Sequence, residues 1–225
     1  MKILVFVKQV PDTDDVKLDP KTGNLKRDGV QTTINPLDAN AVETAVQLKE
    51  KYGATVCAVT MGPPQAKEVL KKALALGCDE AYLLSDRAFG GADTRATSYT
   101  LAKAAEKIGD YDLLLFGRHA IDGDTAQTGP ATASFLNIPQ ITLADSVDIQ
   151  DGWVVCTRVL ESRSERALVS ASISAAILYV SALPDSAKHH EGKPQANHRM
   201  GGCGYRRRYQ RDRYARISLL HQEGL

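Results

Sequence analysis

Residues 116–130, FGRHAIDGDTAQTGP, concentrate the side chains best suited to holding an anion. The apolar run Leu113–Phe116 leads into them and reads as a buried strand, while Ala131–Leu136 follows and reads as a helix. A strand, a polar turn rich in glycine and threonine, and a helix start together offer unpaired N–H groups and about half a positive charge. Arg118 adds a fixed cation, and Thr125 and Thr128 add hydroxyl donors. Asp122 and Asp124 suit sugar hydroxyls or a helix cap better than phosphate. The combination implies a nucleotide phosphate with its ribose.

Other chemistry is weaker or missing. Gly62-Pro63-Pro64 is a tight strand-to-helix turn whose residue types turn geometry alone explains. Gly90-Gly91-Ala92-Asp93-Thr94 is either a loop before a helix capped at Thr94 or a loop that contacts a ligand through Asp93 and Thr94. Neither a G-x-x-x-x-G-K-[ST] loop nor a G-x-G-x-x-G turn occurs, which argues against a P-loop NTPase and a standard dinucleotide dehydrogenase. No spacing joins Ser, His and Asp into a triad, so no catalytic residue is assigned. His119 reads as a ligand contact or a surface group. His189, His190, His198 and Cys203 fit no common metal-site spacing, and no metal is expected. Arg206–Arg216, with interleaved tyrosines, reads plainly as a nucleic-acid arm or a solvated tail.

The elements that must position these residues alternate. Lys2–Val7 is a short apolar strand, and Val10–Thr33 a polar, turn-rich loop or small hairpin. Asn35-Pro36 opens a helix to about Tyr52, closed by Gly53; Val42, Ala45, Val46 and Lys49 share one face, Lys49 through its stem only. Strand Thr55–Thr60 leads to a helix whose Ala66, Val69, Leu70, Ala73 and Leu74 keep helical spacing until Gly77. Strand Glu80–Leu84, a helix from Ala96 to Ile108 ended by Gly109, and strand Asp112–Phe116 follow. The pattern predicts an α/β fold, a parallel sheet flanked by helices. Ligands of such sheets bind beyond the carboxyl ends of the strands, where Lys8–Asp12, Met61–Gln65 and Gly117–Thr128 fall. After the nucleotide loop, Asp151-Gly152 between Thr142–Ile149 and Trp153–Val159 predicts a β-hairpin.

Composition sets few further limits. The 225 residues carry 43% hydrophobic side chains and a net charge of +1, which gives no global argument for nucleic acid or membrane. The apolar N-terminal run stops at Lys8, too short for a signal sequence, and no run approaches membrane-spanning length. Four scattered cysteines fit reduced thiols in a cytoplasmic protein.

Several segments carry a resemblance. VFVKQVPDT at Val5–Thr13, RDGV at Arg27–Val30, INPLD at Ile34–Asp38, TMGPPQA at Thr60–Ala66, ALALGCDEAYLLSDRAFGGADTRATS at Ala73–Ser98 and GRHAIDGDTAQTGP at Gly117–Pro130 resemble the β subunit of electron transfer flavoproteins. The resemblance spans about residues 1–160. It implies the adenine-nucleotide α-hydrolase type of Rossmann-like fold, a heterodimer with an α subunit, and an adenine nucleotide in the β-subunit cleft. That nucleotide is AMP in the conventional branch and a second FAD in the electron-bifurcating branch and its nitrogen-fixation relatives. The family's nucleotide contacts fall here on Phe6, on Asn35, Pro36, Leu37 and Asp38, on Met61, and on Arg118, His119, Ala120, Ile121, Asp122, Gly123, Asp124, Thr125, Ala126, Gln127, Thr128 and Gly129. DGDTAQ at Asp122–Gln127 and DRAFGGADT at Asp86–Thr94 resemble the bifurcating branch. In that branch NADH is the electron donor, and electrons pass to an acyl-CoA dehydrogenase through the α-subunit flavin and to ferredoxin or flavodoxin. The contrasting class is a universal-stress-type adenine-nucleotide module without electron transfer. Such a module carries a glycine-rich phosphate loop near its end, and none follows here.

From about Ser162 the resemblance stops. The family continues with P-R-Y, I-M-K-A and I-G-x-x-G-S-P segments, and the written sequence has none of them. Reading the codons one nucleotide further on changes this. Ser181-Ala182-Leu183 then permits P-R-Y, and His189-His190-Glu191-Gly192 permits I-M-K-A. Asp212–Ser218 permits I-G-M-L-G-S-P, so all three return in one frame and in order. The chain is therefore divided into a nucleotide-binding α/β domain, 1–160, and an out-of-frame tail, 161–225. That tail is expected to be poorly ordered and to impair docking of the dehydrogenase and of the α subunit's mobile domain. The arginine run and the histidines then have no nucleic-acid or metal role. Sequencing the DNA across codons 155–180 should reveal one gained or lost base between codons 160 and 173; an unbroken frame there overturns the division.

Overall fold

The structure, a computed structural model, describes residues 1–12, 32–160, 163–170, 176–180 and 217–220. Strand β1 (Lys2–Phe6) runs into β2 (Gln9–Pro11), which pairs antiparallel with β3 (Thr32–Ile34). Then come α1 (Pro36–Tyr52), β4 (Thr55–Met61), α2 (Lys67–Leu76), β5 (Glu80–Leu84), α3 (Thr94–Ile108), β6 (Leu113–Gly117) and α4 (Thr128–Leu136). The chain continues through β7 (Gln140–Gln150), β8 (Trp153–Leu160), β9 (Arg163–Ser170), β10 (Ala176–Val180) and β11 (Ile217–Leu220).

Strands β5-β4-β1-β6 form the parallel centre of one sheet, extended by β11 beside β5 and by β10 beside β6. Alternation along each central strand fills two cores. Ile3 and Val5, Val56 and Ala58, and Leu113 and Leu115 face α1 and α2; Leu4 and Phe6, Cys57 and Val59, and Leu114 and Phe116 face α3 and α4. Burial on both sides explains why these strands read as unbroken apolar runs. Each fully buried Leu or Ile contributes about 1.5–3 kcal/mol over an exposed one.

The predicted α/β architecture is the observed one, with three local differences. Asp93, not Thr94, caps α3: its carboxylate accepts the Ala96 N–H at 2.8 Å, so Thr94 is already helical. Helix α4 begins at Thr128 rather than Ala131, since Pro130 is tolerated in a first turn, where its missing N–H has no helical partner to lose. Lys49 contributes more than its stem, because its ammonium bonds the Gly77 carbonyl at 2.9 Å and pairs with Asp79, tying α1 to the start of β5. The Asp151-Gly152 hairpin forms as read, both residues at positive φ (51° and 78°), as a type I′ turn requires.

Most of the Val10–Thr33 loop, the RDGV segment, His189, His190, His198, Cys203 and the arginine run lie outside the described residues, as do the P-R-Y and I-M-K-A positions. None of the described helices is long and apolar enough to cross a membrane.

Candidate functional site

The carboxyl ends of β1, β4, β5 and β6 open into a cleft of about 1210 Å³, larger than the roughly 300–1,000 Å³ of drug-sized sites. Its floor is apolar, with Phe6, Val59, Met61, Leu101 and Phe116 on the wall; the Phe6 and Phe116 rings stack at 4.3 Å. One flank is the β6–α4 loop with the first turn of α4, and the other is the pair of turns after β4 and β5.

The cleft brings together most of the residues singled out from sequence. Phe6, Asp38, Met61, Asp93, Thr94, Arg118, His119, Ala120, Gly123, Asp124, Thr125, Ala126, Thr128 and Gly129 line it. Asn35, Pro36, Leu37, Ile121, Asp122 and Gln127 do not. Gln9, Pro63, Pro64, Ser85, Arg87 and Thr97 also line the wall and were not singled out individually. The signal for Gln9 was position alone: it follows β1 in the Lys8–Asp12 turn at the strand's carboxyl end.

Two buried polar residues, Asn35 behind the wall and Asp38 in it, set its geometry. Asn35 donates through Nδ2 to the His119 carbonyl (2.8 Å) and accepts the Ile121 N–H on Oδ1 (3.2 Å). Its own N–H donates to the Lys8 carbonyl at 2.9 Å. Asp38 Oδ2 accepts the Lys8 N–H at 2.8 Å. Two residues at the start of α1 thus hold the end of β1 against the loop after β6. Gly117 belongs to the same junction. A Cβ there would fall within 3 Å of the Leu37 and Asp38 backbone and of the Asp38 carboxylate.

The electrostatics follow from the same packing. Burial pushes the Asp38 carboxyl up to about 7, opposed by hydrogen bonds from Asn35 and the Lys8 N–H, by the Lys8 cation and by the Gly117 N–H. Asp122 is largely buried and accepts from Lys8 Nζ at 2.6 Å, so its charge is balanced within the protein. Asp124 lies 3.4 Å from His119 Nε2 and is well exposed. Asp124 (φ 46°) and Ala126 (φ 54°) both take the left-handed backbone form, which costs an alanine roughly 1 kcal/mol. Arg118 and the α4 N-terminus, where Gln127 makes no side-chain capping hydrogen bond, supply positive potential to the flank. No group of three or more His, Cys, Asp or Glu fit to hold a metal occurs among the described residues.

Residues 22–193 match the electron transfer flavoprotein domain. The caffeyl-CoA reductase–Etf complex subunit CarD of Acetobacterium woodii is 54% identical over 166 residues, 73% of this chain and 63% of that protein. An electron transfer flavoprotein subunit beta of Clostridium acetobutylicum is 56% identical over 149 residues, 66% of this chain and 57% of its own length. Protein FixA of Sinorhizobium fredii is 46% identical over 168 residues, covering 72% and 59%. The matched part of the chain thus spans about six tenths of the length of these relatives.

Two outcomes test the junction. Gly117→Ala should destabilise the fold by about 1–3 kcal/mol through overpacking against the α1 backbone, read as a lowered melting temperature. The Asp38 carboxyl is raised by folding, so its contribution is complete below about pH 4 and is lost as pH climbs through about 7. Relative to wild type, Asp38→Asn should remove up to about 1.4 kcal/mol per pH unit of that decline, measured by denaturant titration between pH 4 and 8.

Proposed function

The chain belongs to the electron transfer flavoprotein family as a β-type subunit, and on that premise we propose that its cleft holds FAD, with AMP the alternative. The family's function is electron transfer; in this reading the chain works as one half of an α/β heterodimer. NADH is the electron donor, and an acyl-CoA dehydrogenase and ferredoxin or flavodoxin are the acceptors. The name of the CarD relative, a subunit of a reductase–Etf complex, favours a partner that reduces an acyl-CoA-type substrate. Because the matched part covers less than two thirds of its relatives, all of these partners belong to the proposal.

The observation that carries the reading is the cleft itself. Its volume exceeds that of a drug-sized site, and its two flanks differ in chemistry. The β6–α4 flank, with Arg118, Thr125, Thr128 and the α4 N-terminus, suits phosphate. The apolar floor of Phe6, Val59 and Met61 suits a flat ring system. A flavin bound there supplies hydride acceptance and single-electron transfer. The chain's own residues bind the phosphates, exclude water from the floor and fix the ligand's orientation. Asn35, one layer back, and Asp38, in the wall, fix the junction from which the loop carrying Arg118 starts.

The absorption spectrum and flavin count of the purified α/β complex test this. Two flavins per heterodimer are expected. One flavin with AMP released on denaturation assigns AMP to this cleft instead, and a cleft that takes neither overturns the reading.

A further inference from the structure

Lys8 is held at three of its atoms. Its N–H donates to Asp38 Oδ2 at 2.8 Å and its carbonyl accepts the Asn35 N–H at 2.9 Å, so its backbone is fixed where β1 leaves the sheet. Its ammonium donates to Asp122 Oδ1 at 2.6 Å, reaching across to the β6–α4 loop. The two halves of this ion pair differ in exposure: the Asp122 side chain is 6% exposed and that of Lys8 is 41% exposed. Lys8 lines the cleft, whereas Asp122 stands behind a wall formed by its loop neighbours Arg118, His119, Ala120, Gly123, Asp124 and Thr125.

That placement puts a carboxylate charge just behind the flank suited to phosphate. At about 3.8 Å per residue, Thr125 on the wall lies no more than about 11 Å along the chain from Asp122. Two unit charges about 10 Å apart, at an effective dielectric of about 20, change a binding constant by about tenfold. Left alone, Asp122 would repel the anion that Arg118 and the α4 N-terminus attract. Resting on the nucleotide reading above, we propose that Lys8 is a positioning residue for the nucleotide's phosphate. Its ammonium, held on Asp122, masks that carboxylate and keeps the β6–α4 flank attractive to an anion. Lys8 acts through Asp122 and not by touching the ligand. A partner sent in from a neighbouring strand end cancels the charge without occupying the flank. The role is the same for AMP and FAD, since both carry phosphate.

Ligand titrations on the full 225-residue chain at pH 8 test this with three probes: AMP, FAD, and adenosine, which lacks the phosphate. Lys8→Met bares the Asp122 carboxylate and should weaken AMP and FAD about tenfold, with adenosine held to within about twofold. Asp122→Asn keeps the shape and leaves the Lys8 cation in place, so AMP and FAD should bind several-fold tighter and adenosine as before. The double variant carries neither charge and should return AMP to within about twofold of wild type. A pair that only held the loop in shape predicts something else: weakening from either single change, shared by adenosine, with no recovery in the double variant. A double variant that stays about tenfold weak for AMP alone puts the Lys8 ammonium on the phosphate itself, and this also overturns the masking role. Removing one half of a buried pair can cost folding; if Lys8→Met does not fold, Asp122→Asn decides by the sign of its effect on AMP. Wild-type protein that binds adenosine as tightly as AMP overturns the proposal, because the flank then attracts no phosphate. Wild-type protein that binds none of the three refutes the nucleotide reading itself.

Discussion

The junction of Asn35, Asp38 and Gly117 is the constraint on which the cleft depends. A parallel sheet brings the ends of β1 and β6 side by side, but it does not dictate where the loop after β6 goes. That loop must leave the sheet, pass the start of α1 and return as α4. Asn35 fixes its course by bonding the His119 carbonyl and the Ile121 N–H, copying on one side chain the pairing a neighbouring strand would provide. Asp38 fixes the end of β1 at Lys8. Gly117 lets the two approach, since any Cβ would occupy the space of the α1 backbone. Helix α1 is in turn held by the apolar face of Val42, Ala45 and Val46 on the sheet. The precision of the loop therefore derives from core packing that begins one helical turn beyond Asp38, at Val42.

The same junction resolves an electrostatic difficulty. A wall suited to phosphate also carries Asp38 and Asp124, with Asp122 just behind it. Asp122 is matched by the Lys8 ammonium, and burial raises the Asp38 carboxyl to about 7, which removes part of its charge at neutral pH. Asp124 is exposed, beside His119, where solvent screens it. The acidic residues thus cancel locally or are screened, while Arg118 and the α4 terminus keep their positive potential. Asp122, which in the sequence looks suited to a sugar hydroxyl, serves in the structure to hold Lys8.

The fold was legible because its signals are periodic and local. The runs Ile3–Phe6, Thr55–Thr60 and Leu113–Phe116, with Gly53, Gly77 and Gly109 closing the helices, specify strands and stops directly. The type I′ turn at Asp151-Gly152 was equally explicit. Boundaries were harder. A cap is a competition between adjacent residues, and Asp93 reaches the Ala96 N–H where Thr94 was the reading. The site was legible as loops at strand ends, yet sequence could not separate residues on the wall from residues behind it. Asn35 and Asp122 have ligand-like chemistry but spend it on other parts of the chain. Gln9 looked like part of a turn, and only three-dimensional packing reveals that half of its amide is unpaired.

The departures from local rules are concentrated where a ligand would be held. Asp124 and Ala126 in left-handed backbone, the buried Asp38 carboxyl and the unpaired Gln9 Oε1 all lie on the cleft wall, and the unpaired Thr60 Oγ1 sits next to Met61 at its edge. Four other described residues take the left-handed form away from the cleft: Asp110 after α3, Asn137 closing α4, Asp151 in the hairpin turn, and Leu143 where β7 changes partners from β10 to β8 and the pairing register shifts. The central strands away from the cleft show nothing comparable, with fully buried aliphatic side chains on both faces. A protein stabilised at its centre can carry several kcal/mol of unmet preferences at one end of its sheet. The positive helix end is one that an anionic occupant can meet. An anion held there would stabilise the folded chain by mass action.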